Sequence, residues 1–268
     1  MNNAQKFVEN GIYNLKYPVE LREKVLCALE AWKKFVNTDD VVTEQFPYVQ
    51  GVGYEHQKGG GVTNDYKKDF HYTEDGADLL FGAASKSGDE LKQVSEELIK
   101  QASYLVAYLG PTVWQFANEI EKELGIENFA NEVMASRGTW FLRFLHYPGD
   151  RQVGECMAVP HIDKSAFTFH LYESDPGLQA LTYGKKEWVD TPVSETETVI
   201  FPGFQLQRKT EGKVTALCHR VVATEKTHTT GRYSMVVFFS LKNTPKYDKT
   251  QGRLQDFTPG FNYEIGRA

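Results

Sequence analysis

Between Val19 and Val36, apolar side chains recur at Leu21, Val25, Leu26, Leu29, Trp32 and Phe35, spacings of mainly three and four that draw one stripe along a helix. A second helical pattern runs from Asp89 to Leu124. There Gly110-Pro111 predicts two pieces or one kinked piece, because proline has no amide hydrogen and crowds the preceding turn. Residues 48–72, rich in glycine and aromatics, predict a loop or a short strand flanked by loops. The glycine run in "KGGGV" has no phosphate-loop lysine after it, which weakens a nucleotide-binding reading.

From Gly138 to Leu241 the pattern changes. Short segments rich in Val, Phe, Thr and Tyr are separated by turn signals such as "PGD", "DPG" and "TTG". Helices first and many short strands later predict a mostly β fold with flanking helices, a jelly roll backed by N-terminal helices. The chain divides as a single domain: 1–136, mainly helical with a substrate-side loop; 137–243, the jelly-roll core; and 244–268, a tail expected to fold back over the barrel.

Composition narrows the partners. The chain of 268 residues is 41% hydrophobic and 25% charged, ordinary for a globular domain. A net charge of −6 without long like-charge runs argues against a nucleic-acid or anionic-membrane partner. The start "MNNAQKFVENG" has no basic segment followed by an apolar core, and no long apolar window occurs, so the expected location is cytoplasmic. Cys27, Cys156 and Cys218 are too few and too scattered for a disulfide framework or a Cys-rich zinc site. Cys218 and His219 are strand neighbours and face opposite sides, which removes Cys218 as a ligand beside His219.

The chemistry begins at "PHIDKSAFTFH". On a strand, His161 and Asp163 point to one face, about 6–7 Å apart along the backbone, within reach of one ion. His219, in the strand-like "TALCHRVV", offers a third ligand. Two histidines and one carboxylate form the facial triad that leaves open positions on iron(II) for a co-substrate and dioxygen. The HExxH helix of many zinc hydrolases is absent. Further on, "GRYSMVVFF" puts Arg232 and Ser234 on one strand face, a guanidinium fork and a hydroxyl suited to a carboxylate. Tyr147 could add a phenol to the same group.

Together "HID", "GLQ", "HRV" and "RYS" resemble the iron(II)- and 2-oxoglutarate-dependent oxygenases of the isopenicillin N synthase-like family, from about Trp140 to Leu241, with an earlier echo in "DYKKDFHY". The resemblance implies a distorted double-stranded β-helix, cupin-like, with helices behind it. It implies iron(II) held by His161, Asp163 and His219, and 2-oxoglutarate held by Arg232, Ser234 and Tyr147. The implied reaction hydroxylates a small molecule, an amino acid or a secondary metabolite, with dioxygen, releasing succinate and CO2. The sequence departs from the family at Leu145, where many members carry asparagine, and in a longer gap between His219 and Arg232.

Candidate substrate-facing residues are Arg143, Gln179, Phe70, Tyr54 and Lys164. His170, an odd number of positions from His161, is expected on the outer face. A same-fold oxidase, cyclase or desaturase, and a non-catalytic jelly-roll binding module, are the competing readings.

Overall fold

The computed structural model describes residues 1–59, 66–182, 187–191 and 193–245. Its helices are α1 (Asn3–Asn10), α2 (Val19–Val36), α3 (Asp40–Thr43), α4 (Ala77–Ser85), α5 (Asp89–Leu124), α6 (Phe129–Ala135), α7 (Phe204–Lys209) and α8 (Thr227–Thr230). The strands are β1 (Tyr13–Lys16), β2 (Tyr48–Val49), β3 (Val52–Lys58), β4 (Tyr66–Tyr72), β5 (Phe141–Tyr147) and β6 (Cys156–His161). They continue with β7 (Phe167–Glu173), β8 (Leu178–Leu181), β9 (Val189–Asp190), β10 (Glu197–Pro202), β11 (Cys218–Val222) and β12 (Arg232–Phe239).

All pairings are antiparallel. Eight strands form a major sheet in the order β1-β10-β7-β12-β5-β4-β3-β2, and four form a minor sheet in the order β6-β11-β8-β9. The two sheets face each other. Leu145, Tyr147, Val199, Phe201 and Val236 of the major sheet share a buried cluster with Met157, Ala158, Leu178, Ala180 and Val221 of the minor sheet. The other face of the major sheet lies against the helices, where Phe144, Phe167, Phe169, Met235, Val237 and Phe239 join the apolar stripes of α2 and α5 in a larger core. Alternation along each strand therefore sends odd and even positions into different environments. This is the double-stranded β-helix with helices behind it that the pattern predicts. Among the described residues no helix is long and apolar enough to cross a membrane.

Three expectations are corrected. Residues 48–72 hold two full strands, β3 and β4, which extend the major sheet, so the first 136 residues supply strands as well as helices. The signal was present: Val52, Tyr54, Phe70 and Tyr72 alternate at period two and are buried, although the glycines between them read as a loop. α5 runs unbroken through Gly110-Pro111. Pro111 lies on the exposed side, and the carbonyl it deprives of a donor, that of Ala107, belongs to another exposed residue. Finally, Phe70 and Tyr54 face the helices and not the inter-sheet space. Phe70 packs against Phe35 and Phe46 with ring centroids 5.4 and 5.6 Å apart, and Tyr54 lies 5.4 Å from Phe35. Phe70→Ala is accordingly expected to cost about 3–5 kcal/mol in urea unfolding and to leave co-substrate affinity within about twofold, below the tenfold that 1.4 kcal/mol represents. A selective loss of binding without loss of stability would return Phe70 to the substrate wall. The expected tail, 244–268, lies outside the described residues beyond Pro245.

Candidate metal and co-substrate site

His161 ends β6 and His219 stands directly opposite it on β11. Asp163 follows two residues after His161, in the turn that leads into β7. That turn is clamped: the amides of Phe204 and Gln205, at the start of α7, donate to the carbonyls of Asp163 and Ser165 at 2.8 and 3.0 Å. Gly203 makes the approach possible, since a Cβ there would sit 2.3 Å from the Ser165 carbonyl oxygen.

The potential ligand atoms of His161, Asp163 and His219 lie within 4.8 Å of one another. Asp163 Oδ1 is 3.8 Å from His161 Nε2 and 4.0 Å from His219 Nε2. Each imidazole is oriented from behind: Nδ1 of His161 is 2.7 Å from the Val159 carbonyl oxygen, and Nδ1 of His219 is 3.1 Å from that of Leu217. With Nδ1–H donating there, both Nε2 lone pairs turn toward the shared point, the arrangement by which proteins fix metal-binding histidines. Asp163 is set in the same way, because Oδ2 accepts a hydrogen bond from the Thr168 hydroxyl at 2.5 Å and Oδ1 remains for the ion. Burial, then the neighbouring His161, lowers the His219 pKa to about 4, so the ring is neutral and ready to ligate at neutral pH. The donor set fits iron(II): two imidazoles and one carboxylate on one side leave the other side open.

On the facing wall, Arg232 pairs with Tyr147 and Ser234 with Leu145. All four are buried, and all four lie on the inner face of the major sheet. The expected co-substrate residues are thus brought together. Arg232 Nη1 is enclosed without a hydrogen-bond partner, a donor suited to an incoming carboxylate. Leu145, where asparagine is common in the resembled family, contributes only apolar surface to the inter-sheet cluster.

Arg143 also lies on this inner face, opposite Val236 and His71. Its guanidinium sits over Phe141 and Phe238, 5.4 and 5.2 Å from their centroids, and its Nε has no hydrogen-bond partner. Among the described residues no carboxylate lies within ion-pair distance of it. His71, Asp69 and Glu55 form a second convergent group beside it, with ligand-type atoms within 4.8 Å of one another. That group already faces cations: Lys67 Nζ is 3.9 Å from Asp69 Oδ2, and burial, then Arg143 and Lys67, holds the His71 pKa down at about 2. It reads as the polar end of the inner wall.

Two expectations, those for Gln179 and His170, do not hold here. Gln179 stands opposite Arg220 and faces outward; it accepts from Arg220 Nε and donates to Asp190, both at 2.9 Å. Lys164 is exposed next to Asp163. His170 faces inward and is buried, because it belongs to a different strand and sheet from His161 and parity cannot be carried across the turn between them. Two further residues of the site, Thr168, which partners Asp163, and Glu173, which pairs with Arg232, were not singled out from the sequence. The HxD-x4-Thr spacing was a usable signal for Thr168; for Glu173 there was none, since a β-bulge decides its direction.

Two facing antiparallel sheets with a two-histidine, one-carboxylate centre define a class. Residues 139–241 match the model of the 2OG-Fe(II) oxygenase superfamily. Its cofactor and co-substrate are iron(II) and 2-oxoglutarate.

Individual relatives are more distant. The chain is 24% identical to the probable flavonol synthase 5 of Arabidopsis thaliana over 77% of its own length and 59% of the relative's. It is 27% identical to the 1-aminocyclopropane-1-carboxylate oxidase homolog 3 of the same plant, covering 65% of this chain and 50% of that one. The chain therefore spans less than two thirds of the length of these curated relatives. Among solved structures, a 2OG-Fe(II) oxygenase family protein from Caulobacter crescentus aligns with a TM-score of 0.71 at 21% identity, covering 89% of this chain and 80% of that chain. A Neurospora crassa protein solved in complex with alpha-KG and 5-formyluracil aligns with a TM-score of 0.69 at 17% identity, covering 89% of this chain and 77% of that chain.

Proposed function

We propose that this protein is an iron(II)- and 2-oxoglutarate-dependent dioxygenase that hydroxylates a C–H bond of a small molecule. One observation carries the reading: His161, Asp163 and His219 converge opposite the inner-face group of Arg232, Ser234 and Tyr147. Bound iron(II) supplies the oxidising chemistry, in which one oxygen atom of dioxygen enters the substrate and the other enters succinate as CO2 leaves. The protein's own share is placement. Arg232 and Ser234 hold the distal carboxylate, Thr168 fixes Asp163, and the buried inter-sheet wall excludes water.

The substrate end is assigned to Arg143. A guanidinium flanked by two phenyl rings and, among the described residues, without an acidic partner suits an anionic group, which makes a carboxylate-bearing small molecule the preferred substrate class. The net charge of −6 supports a small-molecule partner over a nucleic acid, and the cytoplasm is the proposed location.

The test is an anaerobic titration of the apoprotein with iron(II) and 2-oxoglutarate, following the weak visible charge-transfer band of the chelate. The band is expected with the native chain. Iron binding without a band favours the same-fold oxidase or cyclase reading, and no iron binding favours a ligand-binding module. In a succinate-release screen, Arg143→Ala is expected to abolish stimulation by anionic substrates while 2-oxoglutarate affinity stays within about twofold. Equal loss for neutral and anionic substrates would remove Arg143 from substrate recognition.

A further inference from the structure

The three guanidinium nitrogens of Arg232 have different fates. Nε donates to the Asp175 carbonyl oxygen at 3.0 Å, Nη2 donates to Glu173 Oε2, and Nη1 has no partner. Glu173 is as enclosed as the arginine, its side chain 2% exposed, and its Oε1 accepts from the Val193 amide at 2.9 Å. A carboxylate of the protein itself thus rests on the guanidinium assigned above to the co-substrate.

A β-bulge puts it there. Along β12, Ser234 and Val236 are two residues apart, but their partners on β7, Glu173 and His170, are three apart. A regular pleat would turn Tyr172 inward at this point; the extra residue turns Glu173 inward instead.

The charge balance follows. Arg232 and Glu173 together are neutral, and a second carboxylate entering this enclosed space brings a negative charge close to the first. His170, whose Nε2 is 3.6 Å from Glu173 Oε2, supplies no compensating charge, because burial and then the neighbouring Arg232 and His219 keep it neutral. Lys226 is spent on Asp175, at 2.6 Å, and its own side chain is largely exposed.

We propose that Glu173 is a specificity-determining residue of the co-substrate site, an internal counter-ion that keeps the distal carboxylate of 2-oxoglutarate weakly held. The proposal rests on the assignment of Arg232 as the anchor. It predicts poor discrimination between 2-oxoglutarate and a 2-oxo acid of the same length without the second carboxylate.

The test is calorimetric binding of 2-oxoglutarate and of 2-oxopentanoate to protein loaded with manganese(II), for the native chain and for Glu173→Gln. Glutamine keeps the shape and an acceptor for the Val193 amide while removing the charge. The variant is expected to bind 2-oxoglutarate at least about tenfold more tightly, with 2-oxopentanoate nearly unmoved. Unchanged or weaker 2-oxoglutarate binding by a folded variant overturns the proposal and makes Glu173 a residue that merely aims the guanidinium. Should the variant not fold, the native chain decides: a preference for 2-oxoglutarate under about tenfold supports the proposal, and a larger one overturns it. Manganese binding with no 2-oxoglutarate binding by either chain would overturn the co-substrate assignment itself, and the proposal with it.

Discussion

His219→Ala is expected to abolish iron(II) binding at micromolar metal and, with it, the charge-transfer band and all succinate release. The three ligand atoms come from a short segment and one distant strand, and the rings packed against His219 are His161, itself a ligand, at 4.3 Å, and Phe201, which offers no donor, at 4.5 Å. A two-ligand remnant loses both affinity and the facial geometry that leaves positions open. The change deletes a buried ring, so folding must be followed in parallel by near-ultraviolet circular dichroism. Asp163→Ala provides the comparison, because it removes the third ligand without creating an aromatic-sized void. Retention of stoichiometric iron binding by a folded His219→Ala protein would overturn the assignment of the centre. Thr168→Val should give a milder version, with weaker metal affinity and retained fold, since it removes only the hydrogen bond that orients Asp163.

The second large effect is on acid stability. His71, His170 and His219 are enclosed in the fold, and burial is the leading cause that lowers each pKa: to about 2 for His71, to about 4 for His219, and well below the usual value for His170. In the unfolded chain each takes a proton near pH 6.5, as free histidine does. Below that pH the unfolded state binds more protons than the native one, so stability falls as pH falls. Each histidine then contributes roughly 1.4 kcal/mol of loss per pH unit until its own folded pKa is reached. Three together approach about 4 kcal/mol per unit, against a total stability of about 5–15 kcal/mol for a domain. Glu173 acts in the opposite direction, because desolvation raises its pKa and the native state then retains its proton more readily, but it is one group against three. The metal-free protein is expected to unfold with a midpoint at or below about pH 5, and the metal-loaded protein at lower pH, since a ligated His219 cannot be protonated without releasing the ion. Urea unfolding repeated across this range measures the slope. A flat profile between pH 7 and pH 4.5 would mean that these rings are hydrated in solution.

The parts of the site that could be read from the sequence were those carried by local spacing. Arg232 and Ser234 share a face through the period of two along β12, with Tyr147 opposite Arg232; His161 and Asp163 converge although only His161 is on a strand, because the turn after β6 carries Asp163 to the same point. The residues read wrongly depend on something longer in range. Gln179 alternates with Leu178 as expected, yet which of the two faces inward is set by the pairing of β8 with β11, and that register places Ala180 opposite His219. Phe70 and Tyr54 are correctly apolar-facing, but the sheet has two apolar faces and theirs is the helical one. Glu173 depends on one extra residue in β7, which no local pattern announces. In the same way the helical stripe of α2 was legible except for Leu26, which remains 41% exposed.

Strand β12 separates two histories in one sequence. Met235, Val237 and Phe239 face the helical core, while Arg232, Ser234, Val236 and Phe238 face the cavity between the sheets. Because neighbours in the chain answer to different partners, mutations can accumulate on the cavity side and change what is bound without disturbing the side that holds the domain together. A lineage carrying this strand can therefore change what it binds at Val236 and Phe238, the cavity-side positions beyond the Arg232 and Ser234 anchor, while the positions facing the helical core stay fixed.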